Sequence, residues 1–240
     1  MGSQHLNSLV IWGAKGHALV LAEFLPRLGY PIVALFDNDN QLTSPIPGIP
    51  LYFGQTGFCD WLAGQSDLHA IRGLVAIGGD RGGDRLELQN RMRESGIAPL
   101  PSAIHPKAFV ATDAQLGPGT QVLAQAAVCS QVRVGAACIL NTHASIDHES
   151  VLGNGVHLAP GATLAGCITV GDRSMIGTGA IVLPRIRIGH DTVIGAGAVV
   201  TRDIPDGVVA YGNPARVMRK NDSRWQAAAT GGIYTSHGQE

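Results

Sequence analysis

A histidine and a glutamate stand side by side in the second half of the chain, at His148 and Glu149. An imidazole titrates near pH 6.5, so His148 suits a general base, and the carboxylate beside it would raise its basicity or orient it. A second histidine, His157, follows nine residues later. Taken alone, a histidine is more often an exposed polar residue than a catalytic one, and we keep that interpretation for His143 and His190.

Polar or glycine-containing segments follow three apolar runs in the first third of the chain. Residues 13–17 (GAKGH) follow the run at 8–12, residues 37–39 (DND) follow 32–36, and Gly78 and Gly79 follow 73–77. If the runs are parallel strands, their carboxyl ends form a ligand site, and the helix after Gly16 offers free N–H groups to a phosphate. The alternative is that the glycines only make tight turns. The spacing is not G-x-G-x-x-G, so a dinucleotide cofactor is not indicated.

Helical patterns alternate with these runs and predict an α/β arrangement with a parallel sheet. One helix is predicted to end at Gly29, and another to cover about residues 85–95. The apolar face of the first comprises Ala18, Leu21, Ala22, Leu25 and Leu28. Asp37 would accept a hydrogen bond from a sugar or base hydroxyl, or cap the following turn. Arg85 would reach a phosphate, or lie on a solvated helix face.

The back half carries a repeat of six residues. Every sixth position from residue 104 to residue 200 is Ile, Leu or Val, without a break. Glycine follows this aliphatic residue at intervals of eighteen, so three hexapeptides form one coil of a parallel β-helix. Small residues two positions before the aliphatic residue let the corners close, and Cys129, Cys138 and Cys167 are interpreted as small packing residues.

Composition excludes several classes of protein. The 240 residues carry a formal net charge of −1, with no long basic or acidic block, so no nucleic-acid partner is expected. No apolar run has the length of a membrane span, and residues 1–8 lack the apolar segment of a secretory signal. The four cysteines show no C-x-x-C spacing, which favours a reducing, cytoplasmic location.

The whole chain resembles the two-domain left-handed β-helix sugar acetyltransferases of the bacillosamine N-acetyltransferase and sialic acid O-acetyltransferase type. The resemblance covers residues 8–218, and it is carried by 13–17 (GAKGH), 36–39 (FDND), 76–78 (AIG), 141–142 (NT), 146–149 (IDHE), 157–162 (HLAPGA), 165–166 (AG) and 211–215 (YGNPA). It implies a Rossmann-like nucleotide-sugar-binding domain at 1–100 and a left-handed β-helix at 101–220. The polar tail at 221–240, including 230–232 (TGG), is expected to be poorly ordered or lightly packed and is given no function.

The resemblance also implies an N-acetyltransferase acting on the 4-amino group of a nucleotide-linked amino-deoxy sugar. His148 would be the proton acceptor, assisted by Glu149, with acetyl-CoA as co-substrate, no metal, and a homotrimer whose prisms pack side by side with CoA between them. The residues implied to bind acetyl-CoA are His157, Gly166, Thr178 and Ala196. Those implied to bind the nucleotide sugar are Lys15, Gly16, His17, Asp37, Asn38 and Gly78, with Asn141 near the acceptor amine.

Three alternatives remain. The first is O-acetylation of sialic acid or another sugar hydroxyl, and the second is a non-catalytic sugar-binding protein. The third is a zinc carbonic anhydrase using His143 and His148, but the third ligand fails because Lys107 occupies its position and His105 is two residues away. The segment 79–85 is interpreted as a loop that is longer than in the family. The family's substrate contacts on this loop are therefore not carried over to this chain.

Overall fold

The computed structural model describes residues 8–222, in which a helix-flanked sheet precedes a prism of short strands. The first part contains β1 (Ser8–Trp12), α1 (Gly16–Phe24), a 3-10 helix (Pro26–Leu28), β2 (Ile32–Asp37), β3 (Leu51–Phe53), α2 (Gly54–Ala63), β4 (Ile71–Val75), α3 (Gly82–Glu94) and β5 (Ala98–Pro99). The strand order is β3-β2-β1-β4-β5, and every pairing is parallel. The predicted parallel α/β arrangement is confirmed.

The central strand β1 is apolar along its length because both of its faces are covered. Leu9, Val10 and Ile11 have no exposed surface, and the strand pairs with β2 on one side and β4 on the other. A parallel strand covered on both faces reads as a continuous apolar run, as this one does. The carboxyl ends of β1, β2 and β4 consequently meet at one edge of the sheet.

Two predicted boundaries differ from the structure. The helix α1 ends at Phe24, and the chain continues as a 3-10 turn from Pro26 before Gly29 turns it with a φ of 86°. The strand β4 covers Ile71–Val75, not residues 73–77, because it pairs in register with all of β1.

The segment at 79–85, interpreted as a lengthened loop, is loop only in its first three residues. Helix α3 already begins at Gly82, which has no side chain to keep it away from the prism. A Cβ there would lie 2.3 Å from the carbonyl oxygen of Gly155. The close approach explains why small residues stand where a loop was expected.

The second part is a prism made of three parallel sheets. Its strands are β6 (Ser102–Ile104), β7 (Phe109–Val110), β8 (Gln115–Leu116), β9 (Thr120–Val122), β10 (Ala127–Val128), β11 (Arg133–Val134), β12 (Ile139–Leu140), β13 (Ser145–Ile146), β14 (Val151–Leu152), β15 (His157–Leu158), β16 (Thr163–Leu164), β17 (Thr169–Val170), β18 (Met175–Ile176), β19 (Ile181–Val182), β20 (Arg187–Ile188), β21 (Val193–Ile194), β22 (Val199–Val200), β23 (Val208–Tyr211) and β24 (Arg216–Lys220). Successive strands go in turn to the three faces, and each pairs with the strand one coil away, as in Ala127 with Ser145.

We call the faces first, second and third in chain order. The first face is the eight-stranded sheet that contains β6, β12 and β15, and it ends with the antiparallel pair β23 and β24. The second face is the six-stranded sheet that contains β7, β13 and β19. The third is the five-stranded sheet that contains β8, β14 and β20.

The aliphatic residue of each hexapeptide points into the prism, as predicted. From Val122 to Val200 these side chains are buried, while Ile104, Val110 and Leu116 in the first coil are partly buried. The small residues two positions earlier, such as Ala126 and Ala162, are also buried. Every sixth residue from Gly119 to Gly197 has a positive φ, so each hexapeptide turns through a left-handed residue at its corner.

The helix-flanked sheet rests on the outer side of the first face. Ala103, Leu123 and Ile139, which point outward from this face, pack in one cluster with Leu9 and Leu21 of the first part. The two parts therefore share a continuous apolar contact. Within residues 8–222, no helix combines the length and apolar character needed to cross a bilayer.

The three cysteines of the prism were predicted to be small packing residues, but they differ in burial. Cys138 is buried, and burial raises the pKa of its thiol to about 11. Cys129 and Cys167 are only partly buried, because both lie at the outer edge between the second and third faces.

Candidate active site

A cavity of about 450 Å³ opens at the carboxyl ends of β1, β2 and β4. Five of the predicted sugar-binding residues line it, namely Lys15, His17, Asp37, Asn38 and Gly78. Gly16 begins α1 beside the cavity without lining it, and Asn141 lies away from it on the prism.

Asp37 holds the glycine turn in place. One carboxylate oxygen accepts the backbone N–H of Ala14 at 2.8 Å, and the other accepts that of Asp39 at 3.0 Å. Of the two roles considered for Asp37, the capping role is the one that these bonds show. Gly13 has a φ of 109°, and a Cβ there would lie 2.4 Å from the carbonyl oxygen of Ala76, so only glycine fits between β1 and β4.

Charged residues of α3 form a wall of the cavity that the sequence interpretation missed. Arg81, Asp84, Glu87 and Arg91 line it, and they form two ion pairs, Arg81 with Asp84 and Glu87 with Arg91. Their spacing of three to four residues is the signal that could have revealed them, because such residues share one face of a helix. The wall gives the cavity charges of both signs.

Buried polar groups join the cavity to the first face of the prism, and we call this contact the seam. Its members are His17, Arg85, Gln121, Asn141 and His157. The ring of His17 lies 2.6 Å from Gln121 Oε1, and Gln121 Nε2 donates to the carbonyl of Val75 at 2.8 Å. Burial, foremost, and then Arg85 lower the pKa of His17, although the bond to Gln121 opposes them. His17 is therefore held by the prism while it lines the cavity.

Arg85 neither binds a phosphate nor lies on a solvated helix face, so both sequence interpretations were wrong. Its side chain is fully buried and donates to the backbone carbonyls of Ile77, Ala137 and Gly155 at 3.0, 2.9 and 2.6 Å. Burial lowers the pKa of the guanidinium to about 10, so it stays charged at neutral pH. It ties the loop after β4 to two coils of the prism.

His157 is 5% exposed and faces the same seam. Its Nδ1 lies 3.0 Å from the carbonyl oxygen of Gly79, and its Nε2 lies 3.3 Å from Asn141 Nδ2. A carbonyl only accepts, so Nδ1 carries the proton and Nε2 accepts from the amide. Burial, and then the charge of Arg85, lower the pKa of His157 to about 3. The prediction that His157 contacts acetyl-CoA stays a prediction.

His148 lies in the opposite environment, at the corner between the second and third faces. Its Nδ1 is 3.0 Å from Glu149 Oε2, and 54% and 58% of the two side chains are exposed. Gly166 occupies the same corner one coil later, where a Cβ would lie 2.6 Å from His148 Nε2. We call His148, Glu149, Gly166 and Cys167 the His148 corner.

The other predicted acetyl-CoA residues lie at a different corner. Thr178 and Ala196 are exposed in successive coils between the first and second faces, and the Thr178 carbonyl accepts the N–H of Gly197 at 2.8 Å. Asn141 is at that same corner, two coils before Thr178. His157 lies on the first face of the triangular prism, and the His148 corner, between the second and third faces, is opposite that face. One chain therefore does not bring the two histidines together.

The zinc pair His143 and His148 does not meet within one chain. His143 is exposed at the corner between the first and second faces, and His148 is at the next corner. Among residues 8–222, no cluster with metal-ligand geometry includes His143. His190 is also exposed, where it accepts the N–H of Asp172 at 2.9 Å.

Known proteins share both parts of this architecture. Residues 167–202 match the family described as bacterial transferase hexapeptide (six repeats). A variant of perosamine N-acetyltransferase from Caulobacter crescentus, solved with CoA and GDP-perosamine, is 38% identical, with coverage of 88% of this chain and 96% of that one and a TM-score of 0.78. The acetyltransferase domain of PglB from Neisseria gonorrhoeae, solved with acetyl coenzyme A, is 33% identical, with coverage of 88% and 99% and a TM-score of 0.77.

A third neighbour, WeeI from Acinetobacter baumannii, is 25% identical, with coverage of 88% and 99% and a TM-score of 0.75. Both the helix-flanked sheet and the prism lie within the shared length, because 88% of this chain is covered in each comparison. The chain belongs to the family of hexapeptide-repeat sugar acetyltransferases.

Proposed function

We propose that this protein transfers the acetyl group of acetyl-CoA to the 4-amino group of a nucleotide-linked amino-deoxy sugar. The observation that carries the proposal is the His148–Glu149 pair beside Gly166, where an imidazole nitrogen faces a position without a side chain. The neighbour that is 38% identical is a perosamine N-acetyltransferase, solved with CoA and GDP-perosamine. The acetyl transfer named for that neighbour is a reaction that the His148–Glu149 pair could catalyse.

His148 acts as the general base. Its Nδ1–H donates to Glu149 Oε2, which leaves the lone pair on Nε2 of a partly exposed ring that lies against Gly166. As the sugar amine adds to a thioester carbonyl, it becomes acidic, and Nε2 accepts its proton. Glu149 fixes the tautomer and stabilises the imidazolium that forms.

Acetyl-CoA supplies the activated acyl group, and the two exposed corners of the prism fit it. Gly166 leaves room beside the base, while Thr178 and Ala196 form a shallow exposed column at the other end of the second face. His157 holds Asn141 at the same corner as this column. We assign His157, Gly166, Thr178 and Ala196 to the acetyl-CoA groove.

The nucleotide sugar occupies the cavity at the sheet edge. The order β3-β2-β1-β4-β5 is that of doubly wound nucleotide-binding sheets, in which ligands bind where the strand order reverses, here between β1 and β4. We therefore assign residues 1–100 to a Rossmann-like sugar-binding domain and 101–220 to a left-handed β-helix, the hand being that of the family. Most of the tail at 221–240 lies outside the described residues.

The active site is completed in a homotrimer. The cavity adjoins the first face, whereas His148 is at the opposite corner, so the amine and its base meet only when a second copy packs alongside. Phe109 and Ile181 on the second face and Leu183 beyond it are 60%, 43% and 40% exposed, an apolar surface that such packing would cover. We place the enzyme in the cytoplasm, where acetyl-CoA and nucleotide sugars are available.

The test is thiol release from acetyl-CoA with UDP-, dTDP- and GDP-linked 4-amino sugars and sialic acid as acceptors. One amino sugar should support release, and His148→Ala should lower turnover at least ~10²-fold. His190→Ala, an exposed histidine at the corner between the third and first faces, is the control and should leave the rate unchanged. Thiol release with sialic acid alone would mean that the protein is an O-acetyltransferase and not an N-acetyltransferase. A near-normal rate in His148→Ala would exclude His148 as the general base.

A further inference from the structure

The His148 corner contains a thiol that acetyl transfer does not use. Cys167 lies one coil beyond Glu149, and its backbone N–H donates to the carbonyl of His148 at 2.9 Å. Its Sγ is 3.8 Å from Glu149 Oε2, the oxygen that lies 3.0 Å from His148 Nδ1. One ligand atom from each of the three side chains lies within 4.8 Å of the others.

These three donor types are the ones that zinc prefers in proteins. Bonds of about 2.0 Å to nitrogen and oxygen and 2.3 Å to sulfur set tetrahedral ligand atoms roughly 3.3 to 3.6 Å apart. The measured 3.0 and 3.8 Å are each within a few tenths of an ångström of that range. The remaining pair, a ring nitrogen of His148 and Cys167 Sγ, lies within 4.8 Å, so side-chain rotations that shorten this distance would complete the geometry.

The backbone of the prism fixes the positions of the ligands. Glu149 and Cys167 have left-handed backbones, with φ of 57° and 61°, as the corner positions of successive coils. Both are joined to neighbouring coils, Glu149 by its N–H to Ser130 and Cys167 by its N–H to His148. The cluster is thus held by regular structure, and its side chains are open enough for an ion to enter.

We propose that His148, Glu149 and Cys167 form an inhibitory zinc site, with solvent as the fourth ligand. Binding releases the thiol proton of Cys167 to solvent, and the ion takes a lone pair of the imidazole. If zinc binds Nδ1, the remaining ring proton moves to Nε2; if it binds Nε2, it occupies the basic lone pair directly. Either arrangement removes the base, so zinc binding and acetyl transfer exclude each other. The inhibition rests on the proposed function, whereas the binding does not.

The binding test is a Zn²⁺ titration of the full-length protein against a chromogenic indicator, without substrates. Wild type should bind one ion per chain, and Cys167→Ser should weaken binding at least ~10-fold, since even an outer-shell change costs about that much. Cys129→Ser is the matched control, because Cys129 is also partly buried and lies on the same edge one coil before His148. Equal affinity in wild type and Cys167→Ser, with both melting alike, would overturn the site.

The inhibition test measures the acetylated sugar by mass spectrometry, so that zinc does not interfere with a thiol reagent. Cys167→Ser should keep wild-type turnover but resist a zinc concentration that stops wild type and Cys129→Ser. Zinc bound at the cluster without loss of turnover would overturn the inhibition. Absence of transfer with every acceptor would instead refute the proposed function, and the titration would still decide the metal site.

Discussion

The His148 corner and the seam each place a histidine against polar partners, but burial gives the two histidines different roles. At the corner, more than half of the His148 and Glu149 side chains is exposed, and the His148 ring lies against the backbone of Gly166. In the seam, both nitrogens of His157 are hydrogen-bonded, and burial lowers its pKa to about 3. The first histidine is accessible from solvent, whereas the second stays neutral and acts as a fixed connector.

The comparison shows that this chain separates proton transfer from assembly. The seam excludes water, so its hydrogen bonds hold the cavity in a fixed position on the prism. The corner remains exposed, so its side chains can be replaced at little structural cost. Substitutions in the seam should therefore change stability first, and those of His148, Glu149 or Gly166 at the corner should change activity first.

The largest effect on stability is expected for Arg85→Met, which keeps the apolar stem but leaves three buried carbonyls without their donor. At about 1 kcal/mol for each lost bond, the free energy of unfolding should fall by about 3 kcal/mol. Chemical denaturation measures it, with Arg93→Met, an exposed site on the same helix, as the control. A loss no larger than the control's would show that the seam does not join the two parts.

Gly166→Ala should lower turnover and leave stability unchanged. Its Cβ would lie 2.6 Å from His148 Nε2, and the ring can rotate away, so the fold survives while the base is misplaced. A misplacement of this size costs about 10²-fold in turnover. The melting temperature should match that of Gly64→Ala, whose Cβ makes only an ordinary contact of 3.5 Å. Normal turnover in Gly166→Ala would remove His148 Nε2 from the reaction.

The prism was predictable from sequence to a degree that the seam was not. An inward aliphatic residue every six positions is repeated seventeen times between residues 104 and 200, so local pattern and global fold agree at each step. The contact between Cys167 and Glu149 also follows from the period, since residues eighteen apart stack, but the cysteine was interpreted as a packing residue. The glycine turns at the sheet edge were equally visible.

The seam was invisible because its partners are backbone groups distant in sequence. Arg85 donates to backbone carbonyls 52 and 70 residues away. Every residue has such a carbonyl, so the residue types do not reveal which ones accept. Its position on an amphipathic helix suggested solvent, and only the close approach of Gly82 to Gly155 buries it. The separation of His148 from His157 likewise depends on which face each strand joins.

Glu149→Gln tests whether the His148 corner is as exposed in the working enzyme as in a single chain. Solvent-exposed ion pairs contribute at most about 1 kcal/mol, so turnover should fall no more than about fivefold. A steady-state assay with the preferred sugar measures it. A loss of 10²-fold or more would mean that the second copy not only brings the sugar amine to the corner but also buries the pair and strengthens it, in contrast to its exposure of more than half in one chain.

His157→Gln should act on the pH dependence of stability rather than on turnover. The folded state lowers the pKa of His157 from 6.5 to about 3, chiefly by burial, so the unfolded chain binds a proton that the folded chain rejects. This contribution to stability is complete above pH 6.5 and declines as the pH falls towards 3, by up to about 1.4 kcal/mol per pH unit. The glutamine side chain cannot titrate, so the variant should lose stability less steeply below pH 6.5.

Urea denaturation of wild type and variant at pH 7.5 and 5.5 measures the difference in slope. His17 remains in the variant, and its pKa is also lowered by burial, so part of the acid sensitivity should persist. His190→Gln removes an exposed histidine and should keep the full wild-type slope. If stability falls equally steeply with pH in His157→Gln and His190→Gln, His157 is hydrated in solution. The seam then differs from the His148 corner in geometry but not in access to water.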